Sequence, residues 1–181
     1  MDDINYFTNA IINIKMLEKD KEYKECIERT KLLLKEIELT KYSNKKHDKW
    51  FCYVELARCY KNLEQYNKAL KYIEQAEQNF WDEEGFDYMG VTCKASICEA
   101  MGNTHDAIIL YQTCLEYIKT LPNMEKVIAS TMFNIGYLSK NPFQMNRAIN
   151  IYKMYCKETW NYEKTLNDME NYLKEILASE N

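Results

Sequence analysis

Seven cysteines and two histidines are the residues of this sequence that could bind a metal or act as a nucleophile and its base. The cysteines form no C-x-x-C pair, and His47 and His105 fall in predicted turns, far from any paired cysteines. A structural zinc site needs clustered ligands, and a nucleophilic thiol needs a partner base. We therefore expect no metal, no cofactor and no enzymatic activity. We expect the thiols to be reduced core side chains, namely Cys26, Cys52, Cys59, Cys93, Cys98, Cys114 and Cys156.

Composition and charge exclude several other classes of protein. The net charge of −4 argues against a nucleic-acid-binding surface. Only four glycines and two prolines occur, which disfavours turn-rich β architectures. The sequence has no long apolar run, and its first residues lack the basic and then apolar build of a signal peptide. It thus predicts a soluble, cytoplasmic protein that binds neither nucleic acid nor membranes.

The elements that must position any functional residue are paired helices, and segment 53–76 shows the pairing most clearly. Ala57 and Ala69 are twelve residues apart, so two antiparallel helices joined by a short turn would bring them to the helix crossing. Small side chains at a crossing let the two backbones approach closely. The motif consists of Tyr53, Leu56, Ala57, Tyr60, Ala69, Ile73 and Ala76.

The same spacing recurs along the chain. Ala95 and Ala107 are again twelve residues apart, and so are Gly136 and Ala148. A degenerate first copy contains Ile14, Cys26, Thr30 and Leu33. The residues that mark the phase, at steps of 43, 38 and 41 residues, are Cys26, Ala69, Ala107 and Ala148.

Segment 53–76 resembles the tetratricopeptide repeat, whose first helix carries a large apolar residue, Leu, a small residue and Tyr, and whose second carries two spaced alanines. The standard repeat has about 34 residues, so the helices here are longer. The resemblance implies an all-α solenoid that binds another polypeptide on the concave side formed by the first helix of each pair.

The spacing predicts four antiparallel helix pairs and one further helix in a single repeat domain, 1–181. The four pairs cover approximately 3–41, 47–80, 84–120 and 123–159. The last segment, 162–178, has helical apolar spacing with an acidic outer face, which is typical of a capping helix at the end of an array. Alternatively, this helix packs on a second copy of the chain and forms a homodimer.

The long repeat and the Tyr- and Asn-rich composition also resemble the peptide-receptor repeat domain of Gram-positive bacterial regulators of the Rap, PlcR, NprR and AimR group. That resemblance implies that groove asparagines such as Asn62, Asn134 and Asn141 grip the backbone of a short signalling peptide. Those regulators begin with an effector module, whereas the repeat pattern here begins by residue 7. The sequence therefore predicts a free-standing receptor or adaptor that acts by binding.

Polar and aromatic residues on the first helix of each pair are the candidate binding site. Amide, hydroxyl, charged and aromatic groups alternate along them, which suits an extended peptide held by backbone hydrogen bonds and a few anchors. The alternative is a structural subunit that self-associates through its ends or its capping helix. The candidate residues are Lys15, Arg58, Lys61, Asn62, Thr92, Ser96, Glu99, Phe133, Asn134, Tyr137 and Asn141.

Overall fold

Helices account for most of the residues that the computed structural model describes, which are 3–41, 45–80, 82, 85–159 and 161–179. Within these ranges nine helices and no strand occur. They are α1 (Asp3–Lys19), α2 (Tyr23–Leu39), α3 (Lys45–Asn62), α4 (Tyr66–Gln78), α5 (Tyr88–Ala100), α6 (Thr104–Ile118), α7 (Glu125–Leu138), α8 (Pro142–Tyr155) and α9 (Tyr162–Ser179).

Short turns that contain one residue with left-handed backbone geometry join α1 to α2, α3 to α4 and α7 to α8. The left-handed residues are Lys21, Glu64 and Lys140, with φ of 63°, 58° and 50°. In the second turn, the backbone N–H of Gln65 donates to the carbonyl of Tyr60, 2.9 Å away. The other two turns contain the equivalent hydrogen bond, in which the backbone N–H of residue i donates to the carbonyl of residue i−5. This arrangement satisfies carbonyl groups that the end of a helix leaves without partners.

The chain divides into two compact units, Met1–Gly102 and Asn103–Asn181. In the first unit, α3 is the central helix, and every residue from Trp50 to Ala57 is buried. Helices α2, α4 and α5 pack around it. The start of α5 is tied to α3 by Asp87, which accepts from the indole N–H of Trp50 at 2.8 Å and from the backbone N–H of Gly90 at 2.7 Å.

In the second unit, α7 packs against α6, α8 and α9. Helix α9 lies across α7 and α8 with Met169, Leu173 and Ile176 buried beneath it. The rings of Tyr152 and Tyr162 stack with centroids 5.5 Å apart. The predicted capping helix is therefore confirmed, and its exposed face carries most of its charged residues.

The two small residues of the clearest motif, Ala57 and Ala69, are fully buried on α3 and α4, which pack closely together. The last pair differs from the prediction that Gly136 faces Ala148. A Cβ atom placed on Gly136 would lie 2.9 Å from Met145 Cγ and 3.0 Å from the Met145 backbone nitrogen. The turns 63–65 and 139–141 are equally long, but Gly136 lies four positions before the left-handed residue of its turn, whereas Ala57 lies seven positions before its own. Gly136 therefore meets the first turn of α8.

Helix ends otherwise lie close to the predicted limits, and the largest differences are at α8, which ends at Tyr155 and not at residue 159, and at α5. This helix begins at Tyr88, whereas the sequence predicted a start at residue 84, which lies outside the described residues. Ala95 and Ala107 are both buried. They belong to different units, so the pairing of their helices stays a prediction, as does the single domain.

None of the described helices combines the length and the apolar character needed to cross a membrane. Nor do the described residues contain a group of three or more His, Cys, Asp or Glu side chains placed to hold a metal ion. All seven cysteines are free thiols.

Gly136→Ala tests the close approach of α7 and α8. Alanine is a better helix former than glycine by about 1 kcal/mol, yet the added methyl would press on the backbone of Met145. Overpacking costs about 1–3 kcal/mol, and a clash that includes backbone atoms lies in the upper part of that range, about 2–3 kcal/mol. We expect a net loss of unfolding free energy of about 1–2 kcal/mol in urea denaturation.

The matched control is Ser130→Ala, on an exposed position of the same helix, which should change stability by less than about 0.5 kcal/mol. A Gly136→Ala protein as stable as wild type would show that the helices are not held this closely.

Candidate functional site

Three successive first helices, α1, α3 and α5, supply seven of the predicted site residues, all in the first unit. Helices α3 and α5 pack directly, and the Lys15 ammonium of α1 lies 5.1 Å from the ring centroid of Phe51 on α3. All seven side chains are partly or fully exposed. We call this surface the first-helix face, and it consists of Lys15, Arg58, Lys61, Asn62, Thr92, Ser96 and Glu99.

A buried ion pair lies beneath this face. Glu55 has no exposed surface, and its Oε1 accepts from Arg58 Nη1 at 2.8 Å. Its second oxygen, Oε2, is buried and has no hydrogen-bond partner among the described residues. The Arg58 side chain is 30% exposed, so this residue extends from the buried carboxylate to the protein surface.

The two partners of this pair shift in pKa for different reasons. Burial raises the pKa of Glu55, and the positive charges of Arg58 and Lys15 only partly oppose that effect. For Arg58, burial disfavours the charged form, but the carboxylates of Glu55 and Glu18 outweigh it and raise the pKa of the guanidinium. Arg58 therefore stays charged, whereas the desolvated Glu55 carboxylate is ionised less readily than an exposed one.

Two hydroxyl groups on α5 belong to the first-helix face, and each already donates a hydrogen bond to a backbone carbonyl. Thr92 Oγ1 donates to the carbonyl of Tyr88, and Ser96 Oγ donates to the carbonyl of Cys93 at 2.9 Å. Each oxygen keeps lone pairs that can accept from a ligand. The guanidinium of Arg58, in contrast, is only a donor, and within the described residues Glu55 is its one acceptor. The face thus offers a donor on α3 and acceptors on α5.

The other three side chains of the face differ in exposure. Asn62 is exposed at the last position of α3, and Lys61 beside it is half-buried. Glu99 is half-buried near the end of α5. These positions follow the helical spacing that the sequence predicted, because residues three or four apart share one side of a helix.

The remaining four predicted residues lie in the second unit, where α9 covers part of α7. Phe133 is only 7% exposed, and its ring centroid is 6.5 Å from that of Tyr172 on α9. Tyr137 is half-buried and meets Tyr172 edge-to-face at 5.2 Å. The structure therefore does not offer Phe133 as an exposed anchor, since the capping helix packs over it.

Asn141 has a structural task instead. Its side-chain oxygen accepts from the backbone N–H of Gln144 at 3.0 Å and caps the first turn of α8. Asn134 is half-buried on α7. Because the two groups of candidates belong to separate units, a strip that runs along all four pairs stays a prediction.

Comparisons with known proteins agree with this architecture. Residues 52–78, which include the end of α3 and all of α4, match the family model of the tetratricopeptide repeat. The crystal structure of nearly identical TPR-like repeats of a candidate kinesin light chain from Podosopora anserina matches with a TM-score of 0.62 and 14% identity, covering 99% of this chain and 98% of that one. The fold is a tetratricopeptide-like helical repeat.

A point variant of the same Podosopora anserina protein gives a TM-score of 0.61 at 14% identity, covering 98% of this chain and 96% of that one. No curated protein matches the sequence. Tetratricopeptide-like folds generally serve as protein-interaction modules, and at this level of identity the likeness to the solved structures concerns the fold alone.

Sequence reasoning missed Glu55, the most deeply buried charged residue described in the tetratricopeptide-like array. The sequence nevertheless contains a signal that Glu55 is buried. Glu55 interrupts an otherwise apolar run, Trp50–Ala57, and a carboxylate in the middle of such a run must find a partner or a proton. Arg58, one turn further along α3, is that partner.

Glu55→Gln tests the ionisation of this buried carboxyl. Because its pKa is raised in the folded state, the folded chain holds the proton to higher pH than the unfolded chain does. The contribution of the Glu55 carboxyl to the free energy of unfolding is therefore greatest below its pKa in the unfolded chain. This contribution falls as pH rises toward its pKa in the folded chain, by at most about 1.4 kcal/mol per pH unit. We expect the stability of wild type relative to Glu55→Gln to decrease from about pH 4.5 upward.

Chemical denaturation at a series of pH values measures the difference in free energy of unfolding between wild type and Glu55→Gln. Glu55→Met, which also removes the titrating group, should show the same change in pH dependence as Glu55→Gln. If wild type and both variants follow parallel curves, the Glu55 carboxyl does not titrate abnormally.

Proposed function

We propose that the first unit is a non-catalytic binding module that holds an extended segment of another polypeptide on the first-helix face. The observation that carries this proposal is the presentation of Arg58 by the buried Glu55. One nitrogen of the guanidinium is held by Glu55, the Arg58 side chain is 30% exposed, and neighbouring α5 carries hydroxyl oxygens that already donate their own protons.

The immobilised guanidinium favours binding because ordering a long side chain opposes association. An immobilised, rotamer-rich side chain costs about 0.5–1.5 kcal/mol on binding. Here the hydrogen bond to Glu55 Oε1, 2.8 Å long, already restricts the side chain in the free protein. A backbone carbonyl of a ligand would meet a donor that is oriented and still charged.

The acceptors on α5 complement that donor. A peptide backbone presents carbonyl and N–H groups in alternation. Carbonyl groups suit Arg58 of α3, and N–H groups suit the oxygens of Thr92 and Ser96, four residues apart on α5. Asn62, with both a donor and an acceptor in its amide, can pair with either group.

The charges of the face favour a ligand of mixed or low charge. Lys15, Arg58 and Lys61 are positive, whereas Glu99 and the underlying Glu55 are negative. A nucleic acid would require a strong positive excess. A polypeptide segment needs no such excess, and the net charge of −4 for the whole chain agrees with this preference.

Either a short signalling peptide or an exposed segment of a larger protein would fit this role, as receptor or as adaptor. The free thiols suit a cytoplasmic setting. The receptor likeness to Gram-positive regulators is weakened by Asn141, since its amide oxygen caps α8. Asn62 remains available at the end of α3.

The test begins with selection of peptides from a random display library on the native protein, followed by calorimetry. Arg58→Lys keeps the charge but removes the planar donor geometry, and Thr92→Val removes the acceptor oxygen at nearly constant shape. We expect each change to weaken the selected peptide about tenfold to thirtyfold, or about 1.4–2 kcal/mol.

The chain supplies matched controls for both changes. Arg29, whose side chain is exposed on α2, pairs with Glu25 at 2.7 Å, and Thr113 Oγ1 donates to the carbonyl of Ile109 on α6 at 3.0 Å. Arg29→Lys and Thr113→Val should leave the affinity within twofold. Loss of affinity in the controls and not in the face variants would place binding elsewhere.

A second candidate function is self-association through the end of the first unit. A groove of about 970 Å³ lies between α1 and α2, with Ile14, Leu17 and Leu33 among its lining residues and Leu32 56% exposed at its rim. A second copy of the chain could cover these apolar groups. Arg29 also lines this groove, so an effect of Arg29→Lys on solution mass would favour this candidate over the first.

A further inference from the structure

Two cysteines of the first unit lie unusually close together. Cys26 on α2 and Cys59 on α3 have no exposed surface, and their sulfur atoms are 3.1 Å apart. The Cys59 thiol donates to the Cys26 sulfur, and the Cys26 thiol donates to the carbonyl of Ile14 on α1 at 3.7 Å. The sulfur pair therefore lies where α1, α2 and α3 meet.

This separation is close to what a covalent bond requires. A disulfide has sulfur atoms about 2.05 Å apart, so the two would have to approach by about 1 Å. The residues are 33 positions apart in the chain and are held by helices that pack side by side. A bond between them would join the second helix of the first pair to the first helix of the second pair.

We propose that Cys26 and Cys59 form a redox modification site that closes to an intramolecular disulfide in the presence of hydrogen peroxide. The Cys26 thiolate attacks one peroxide oxygen: the S–O bond forms, the O–O bond breaks, and the leaving hydroxide takes up a proton to become water. The Cys59 sulfur then attacks the Cys26 sulfenic acid, the S–S bond forms, and the second oxygen leaves as water with the Cys59 proton. Two thiols and one peroxide thus give one disulfide and two waters.

The order of attack follows from the hydrogen bond between the sulfurs. Donation from Cys59 lowers the pKa of the Cys26 thiol, although burial opposes the shift. As the donor, and because it is buried, Cys59 has its pKa raised. The first thiolate to form is therefore that of Cys26, and Cys59 resolves the sulfenic acid.

Access for the peroxide comes from the side of α1. The carbonyl that accepts from Cys26 belongs to Ile14, and Ile14 also lines the groove between α1 and α2. Local separation of α1 from α2 would bring the Cys26 sulfur to this groove. The reaction needs no unfolding of α3 or α4.

The experiment treats the native full-length protein with hydrogen peroxide, removes the peroxide with catalase, and alkylates the remaining thiols in denaturant. Peptide mapping by mass spectrometry should find a cross-linked peptide that joins Cys26 to Cys59, with five alkylated cysteines in place of seven. Dithiothreitol should restore all seven thiols. Cys93→Ala, a buried position on neighbouring α5, should form the bond within twofold of the wild-type rate.

Cys59→Ala gives a second, independent readout. Without its resolving partner, Cys26 should accumulate as a sulfenic acid that dimedone traps, and the cross-linked peptide should disappear. Circular dichroism checks that Cys59→Ala is folded. If this variant does not fold, the peptide mapping of the wild-type protein still decides the proposal. Recovery of seven free thiols from wild type would overturn the site, and so would a disulfide between chains through half-buried Cys98 or through another pair.

Discussion

Close approach of paired helices within each unit, α3 with α4 and α7 with α8, is the constraint on which the rest of this structure depends. Glu64 adopts a left-handed backbone so that the chain can reverse within three residues between α3 and α4. A non-glycine residue in that region costs on the order of 1 kcal/mol. The hydrogen bond from Gln65 to Tyr60 offsets that cost, and the small residues Ala57 and Ala69 let the helices meet beyond the turn.

The same constraint explains how the candidate site forms. Because α2, α4 and α5 all pack on α3, its middle turns are buried on every side. Glu55 is fully buried in that environment, and the Arg58 side chain is only 30% exposed. Breaking a buried ion pair by removing one partner typically costs 3–5 kcal/mol. The pair therefore links the stability of α3 to the chemistry of the surface above it, which is why Arg58→Lys is a better probe than removal of the charge.

Repeat spacing predicted the helices well for two reasons. The small residues Ala57 and Ala69 mark where paired helices cross, and Ala69, Ile73 and Ala76 follow the three- to four-residue spacing of one helix face. At Gly136 the nearest neighbour is Met145 and not the predicted Ala148, because Gly136 lies three positions closer to its turn than Ala57 does, and the apolar pattern does not specify that distance. Arg58, Thr92 and Ser96 were predicted as surface positions from spacing alone. Their hydrogen bonds, and the burial of Phe133 under α9, depend on tertiary packing that one sequence does not reveal.

Site-specific photo-cross-linking tests most directly whether a polypeptide ligand binds on the first-helix face. A photoreactive phenylalanine derivative would replace Asn62, exposed at the end of α3, or Asn67, exposed on α4. Under illumination with a bound, display-selected peptide, the account predicts a cross-link from position 62 and none above background from position 67. A cross-link from position 67 with none from position 62 would contradict it and place the ligand on the second helices.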